Sequence, residues 1–99
     1  MIARTLTVDV GPDRLDAVIR AYQSLVRPIH ERARGLHAHY VLTNRESGRI
    51  AFVGVWDTPE ALQAVTSELE PARERLWHSF GEQPTLEVYD VADELEATG

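Results

Sequence analysis

The sequence predicts an α+β domain in which a four-stranded antiparallel sheet carries two helices on one face. Three observations carry that prediction. Period-two hydrophobic stretches lie at both ends of the chain and as a pair near its middle, two runs with helical spacing separate them, and Gly or Pro punctuates most boundaries. At 99 residues there is room for one core, assigned to residues 1–92.

The first strand is IARTLTVDV, with Ile2, Leu6, Val8 and Val10 on one side and Arg4 among them. It ends at Gly11 and Pro12. Proline suits a helix's first turn, where its missing N–H would have had no partner, and Asp13 and Asp16 favour the positive end of that helix's dipole. Leu15, Val18, Ile19, Tyr22, Val26, Ile29 and Ala33 follow at three- and four-residue steps, forming one helical face. Pro28 is expected to bend this helix on its outer side, and Gly35 to close it as a left-handed cap. LHAHYVLT and IAFVGVW, joined by NRESGR, read as a hairpin. Thr58 is the expected N-cap of a second helix and Pro59 its first residue. Leu62, Val65, Leu69, Ala72, Leu76 and Phe80 mark its buried face, Pro71 is expected to break it into two segments, and Gly81 ends it. The last strand is TLEVYDV, after Pro84. The acidic tail, 93–99, is expected to fray.

The order β-α-β-β-α-β, with right-handed crossovers around a central hairpin, gives the ferredoxin-like arrangement. Strand three is apolar on both sides, with Ala51, Val53 and Val55 opposite Ile50, Phe52 and Trp56. Helices on one face leave the other uncovered, and a chain this short buries a modest core. A homodimer packed sheet against sheet is the simplest cover.

Composition narrows the chemistry. There is no cysteine, which excludes disulfides and thiol catalysis, and no lysine, which excludes Schiff-base catalysis. A net charge of -6 argues against nucleic acid as a partner. No stretch approaches the roughly 20 apolar residues that span a bilayer, and the N-terminal stretch has strand rather than signal-peptide character. The expected location is cytoplasmic.

The strand-Gly-Pro-helix opening, Arg34-Gly35-Leu36 ahead of strand two, and the stretch from Val55 to Leu62 (VWDTPEAL) together resemble the antibiotic biosynthesis monooxygenase-type dimeric α/β-barrel family. The resemblance covers nearly the whole chain. It implies a pocket inside each subunit, between helices and sheet, and a range of activities: cofactor-free oxygenation of polyketide-like phenols, haem binding or degradation, and lactone isomerisation. The haem-degrading branch carries an asparagine on strand one and a tryptophan and axial histidine on the second helix. Arg4, Val65 and Arg75 fall at those positions, which argues against that activity. Many oxygenase members carry a carboxylate two residues before the strand-three tryptophan, where this chain has Gly54, which opens space and removes a possible base.

Several side chains then compete for a role. Arg4 either reaches solvent or an acidic neighbour such as Glu87, or it holds a ligand's oxyanion, since a buried guanidinium must be paired. His37 and His39 form an H-x-H that points two imidazoles the same way on a regular strand, without an obvious third metal ligand. His30, at the edge of the first helix's stripe, is either a general base or a local cap near Pro28. Tyr22, Tyr40, Trp56 and Trp77 supply flat surface for core or ligand, and Arg73 either joins Arg4 in clamping an anion or reaches a surface glutamate. The expected catalytic set is Arg4, His30 and His39; the expected substrate-binding set is Tyr22, His37, Tyr40, Trp56, Arg73 and Trp77. No metal or cofactor is expected. The ligand is a small aromatic or polyketide-like compound, and the outcome is oxygenation, isomerisation or cyclisation, or binding without turnover.

Overall fold

The computed structural model describes residues 1–97. Its strands are β1 (Ile2–Asp9), β2 (Leu36–Asn44), β3 (Arg49–Trp56) and β4 (Thr85–Asp90), and its helices are α1 (Leu15–Leu25), α2 (Arg27–Arg32) and α3 (Pro59–Phe80). The strands form one antiparallel sheet in the order β2-β3-β1-β4, the ferredoxin-like topology.

Three details differ from the sequence-based expectation, and each has a local cause. The first helical run is two helices. A short 3-10 turn over Pro12–Arg14 opens it, and the helix breaks at Val26, whose φ of -112° lies off the helical value. Pro28 then occupies the first turn of α2, so the proline that was expected to bend a helix starts one instead. Pro71, by contrast, does not divide α3, which runs unbroken for 22 residues. Pro71 is exposed, so the carbonyl that loses its backbone partner faces the solvent side, where water can satisfy it. Gly35 has a positive φ of 80°, yet α2 has already ended at Ala33. The glycine turns the chain into β2 and lets α3 approach, since a Cβ there would lie 2.6 Å from that of Ala61.

The remaining signals act as the sequence implies. The Thr58 hydroxyl accepts a hydrogen bond from the Ala61 N–H at 3.1 Å, and Gly81 caps α3 in the left-handed region. Arg14 donates to the Phe80 carbonyl and lies over the Phe80 ring, tying the end of α3 to the start of α1. Gly48, at a φ of 81°, sits so close to the Gly11 backbone that any side chain would collide with it. The β2–β3 hairpin is thereby docked on the end of β1, with Val10 N–H donating to the Gly48 carbonyl.

Registers and alternation separate the two faces. Ile2, Leu6 and Val8 of β1 and Ile50, Phe52 and Trp56 of β3 meet Leu15, Val18 and Tyr22 of α1 and Leu69, Leu76 and Trp77 of α3 in one core. The opposite face carries Ala3, Ala51, Val53, Val55, Tyr40, Leu42 and Tyr89. Tyr40 is 57% and Leu42 51% exposed, so no element among the described residues covers this face. The expected tail has no regular structure through residue 97; residues 98–99 lie outside the described residues.

Candidate functional site

One row of residues crosses the helix-covered face in register: His39 on β2, Gly54 on β3, Arg4 on β1 and Val88 on β4. Glycine in this row is what opens the site. A Cβ at Gly54 would stand 3.1 Å from Trp56 Nε1 and 3.4 Å from His39 Cδ2, filling the gap between the histidine and the arginine. Above the gap lies a cavity roofed by Tyr22 of α1, His30 of α2, and Arg73 and Trp77 of α3, with Phe52 and Trp56 in its wall. Arg4, the cation in the apolar row of β1, therefore faces inward. Glu87, the strand neighbour once available to pair it, lies on the opposite face and accepts from Tyr89.

The cations in this cavity have no anion. Among the described residues neither Arg4 nor Arg73 forms a salt bridge, and the buried Arg73 Nε and Trp77 Nε1 have no hydrogen-bond acceptor. Burial, with the nearby Arg73 guanidinium, pulls Arg4 down to about 10, while Glu70 partly opposes the shift. Arg73 is lowered in the same way by burial. Arg4 remains charged near neutrality. Buried donors left unpaired are rare in folded proteins, since each forfeits its hydration without compensation. Two guanidinium side chains and an indole therefore border one space, and guanidinium and indole N–H groups are donors of the kind that recognise an oxyanion.

Across from them is a polar cluster that the sequence kept as separate residues. Tyr22 Oη lies 2.9 Å from His30 Nδ1 and 3.0 Å from His39 Nδ1. The two imidazoles have ring centres 4.2 Å apart, and the Tyr22 ring stacks on His39. Burial, then His39 and the two arginines, holds His30 down at about 3; burial and Arg4 hold His39 at about 4. Both rings are neutral at pH 7. Burial also pushes the Tyr22 phenol up to about 12, so it keeps its proton.

Of the expected site residues, Arg4, Tyr22, His30, His39, Trp56, Arg73 and Trp77 border the cavity, and His37 and Tyr40 do not. A β-bulge between Leu36 and Ala38 takes His37 out of the alternation. The H-x-H spacing therefore fails to aim both rings alike, and His37 lies on the surface with Nε2 2.8 Å from Glu94. Tyr40 pairs with Val53 on the uncovered face. Gly54 was expected to open space as well as to remove a possible base; the strand registers place that space between His39 and Arg4.

The enclosed space is small, about 30 Å³, enough for a water or two. Arg73, Trp77 and Leu6 separate it from an open hollow of about 690 Å³ that continues past Pro84 and Leu86.

A sheet roofed by helices here encloses an interior cavity bordered by unpaired cations and neutral imidazoles. The family described as antibiotic biosynthesis monooxygenase matches residues 1–70, and the chain belongs to it. The uncharacterised Mycobacterium tuberculosis proteins Rv2557 and Rv2558 are each 29% identical over 90 residues, 91% of this chain. The chain spans about two-fifths of the length of these curated relatives. Among solved structures, a candidate antibiotic biosynthesis monooxygenase from Deinococcus radiodurans aligns over 100% of both chains with a TM-score of 0.77 at 13% identity. A dimeric ferredoxin-like protein from an uncultured marine organism aligns over 98% of this chain and 92% of its own, with a TM-score of 0.78 at 18% identity. These likenesses establish the fold.

Proposed function

We propose that this chain is a small-molecule enzyme of the cofactor-independent monooxygenase type, acting on a planar aromatic or polyketide-like compound that is anionic or becomes so on deprotonation. The observation that carries the reading is the set of unpaired donors, Arg4, Arg73 and Trp77, facing neutral imidazoles across an apolar cavity. Arg4 and Arg73 hold the oxygen of the developing enolate or phenolate, where preorganised charge in a dry site is most effective. A neutral imidazole, His30 or His39, takes the proton from carbon. The carbanion then passes electrons to dioxygen, the co-reactant, and a C–O bond forms. Loss of water leaves one oxygen as a new carbonyl, with both hydrogens of the original methylene departing in that water. Trp56, Trp77 and Phe52 supply flat walls for the ring.

The active form is a homodimer. The uncovered face presents Tyr40, Leu42 and Val53 in a contiguous apolar surface of the kind that marks an association site, and a second sheet supplies a matching cover.

The test is a thermal-shift screen of phenolic and quinonoid compounds, with dioxygen uptake measured on each hit. Arg4→Ala is expected to lower affinity or turnover by about tenfold or more, as for loss of a charged hydrogen bond worth ~1.5–3 kcal/mol, with the fold intact. Unchanged binding in that variant refutes the assignment of Arg4. Hits that bind through Arg4 and consume no dioxygen refute the oxygenase chemistry and favour a binding role.

A further inference from the structure

A phenol has one proton, and Tyr22 has two imidazole nitrogens within hydrogen-bond distance, His30 Nδ1 at 2.9 Å and His39 Nδ1 at 3.0 Å. The hydroxyl donates to one and accepts from the other. The ring that receives the phenolic proton has a bare Nδ1 and carries its own proton on Nε2. The ring that donates to Tyr22 carries its proton on Nδ1 and has a bare Nε2. The bridge thus sets two neutral rings in opposite tautomers, one with an N–H and one with a lone pair at Nε2, and both rings border the same cavity.

We infer that Tyr22 is the centre of a proton relay that makes His30 and His39 a bifunctional acid–base pair, giving the site a tautomerase activity towards arylpyruvate-like anions that needs no dioxygen. The inference rests on the anion pocket proposed above. An arylpyruvate has a carboxylate for the guanidiniums, an acidic carbon beside a carbonyl, and a flat ring for the aromatic walls. The bare Nε2 takes a proton from that carbon. The same ring's Nδ1 proton passes to Tyr22 Oη, the hydroxyl proton passes to the other Nδ1, and the second ring's Nε2 proton goes to the carbonyl oxygen. Keto form becomes enol, or the reverse. No electron is lost or gained, and the rings end with their tautomers exchanged.

Two further observations fit. With Nδ1 turned to Tyr22, the opposite edge of His39 lies against the opening at Gly54, where a Cβ would come 3.4 Å from its Cδ2. The surroundings also penalise an imidazolium, since burial and Arg4 hold both rings far below the ordinary histidine value. The relay moves a proton without ever charging a ring.

The experiment pairs two readouts on the whole chain, wild type and Tyr22→Phe. The first is two-bond proton–nitrogen correlation spectra of histidine-labelled protein near pH 7. The expected result is one Nδ1–H and one Nε2–H ring assigned to the pair, with that complementarity lost in Tyr22→Phe, which keeps the shape and removes the bridge. The second is deuterium uptake at the benzylic carbon of phenylpyruvate in D2O under argon. Wild type should accelerate exchange, and Tyr22→Phe should lose about 100-fold or more in kcat, the scale of general acid–base catalysis, with KM nearly unchanged. Identical tautomers on the two rings, or exchange in Tyr22→Phe within about threefold of wild type, overturns the relay. So does phenylpyruvate that binds to complementary rings without exchanging. Complementary tautomers with no phenylpyruvate binding overturns the tautomerase activity and, with it, the anion pocket for this ligand class, while leaving the bridge itself observed.

Discussion

Acidification gives a direct reading of the two buried imidazoles. Both have folded-state values below the unfolded value of 6.5, His39 at about 4 and His30 at about 3, principally through burial. Between pH 6.5 and those values the unfolded chain binds protons that the folded chain excludes, so stability falls as pH falls. Each ring contributes up to about 1.4 kcal/mol per pH unit in that window. Over the two units from pH 6.5 to 4.5, the pair would reach roughly 5 kcal/mol; halving this for the solvent that reaches the cavity leaves about 2–3 kcal/mol. That is a large share of the ~5–15 kcal/mol typical of a domain. The charged and titratable groups facing the rings are Arg4, Arg73 and Tyr22 from the cavity, with Arg27 and Glu31 on the outer side. The assay is urea unfolding at fixed protomer concentration, at several pH values from 7 to 4.5, on wild type and a His30→Gln, His39→Gln double variant. Glutamine can still bond Tyr22 but cannot take a proton. Wild type should lose about 2–3 kcal/mol more than the variant across the window. Parallel pH profiles for the two proteins, or a wild type that gains stability on acidification, would refute the claim that these rings are neutral because they are buried.

Three further outcomes follow from single positions. Gly54→Ala places a methyl between His39 and Arg4, 3.1 Å from Trp56 Nε1; ligand affinity should drop severalfold with Tm nearly unchanged, read by thermal shift with and without a hit compound. Val53→Arg puts a cation in the middle of the uncovered sheet face, opposite Tyr40 and Thr5, and sedimentation velocity should show the dimer dissociating while circular dichroism stays native. Thr58→Ala removes the hydroxyl that accepts from Ala61 N–H and should cost about 1 kcal/mol in denaturant unfolding.

Most of the fold was legible because its signals are local. Thr58-Pro59 and Gly81 bound α3 as read, since a cap acts on backbone groups three or four residues away. The prolines were harder, because the effect of a missing N–H depends on which side of the helix faces water. Pro28 falls where one helix has already ended, and Pro71 lies on the exposed side of a continuous one. The pair His37 and His39 failed for a related reason. Period two holds only for a regular strand, and one bulged residue between Leu36 and Ala38 sends the two rings to different surroundings.

The site was legible as a list of residues and not as an arrangement. Arg4 announced itself by breaking an apolar row, but its neighbours His39 and Gly54 lie 35 and 50 positions away and become adjacent only through the β1–β3 and β2–β3 registers. Tyr22 looked like core because it sits on a helical stripe, and it is core: its ring packs on Phe52 while its hydroxyl bridges two imidazoles. Several features that cost stability meet at that place. The missing side chain of Gly54, the unpaired Arg73 Nε and Trp77 Nε1, and two histidines held neutral against their ordinary behaviour all border one small space. A core selected for stability alone would fill the gap and remove the cations. Their coincidence around a single space in an otherwise well-packed core is the physical reason to look for a ligand there, and not on the exposed surface around His37.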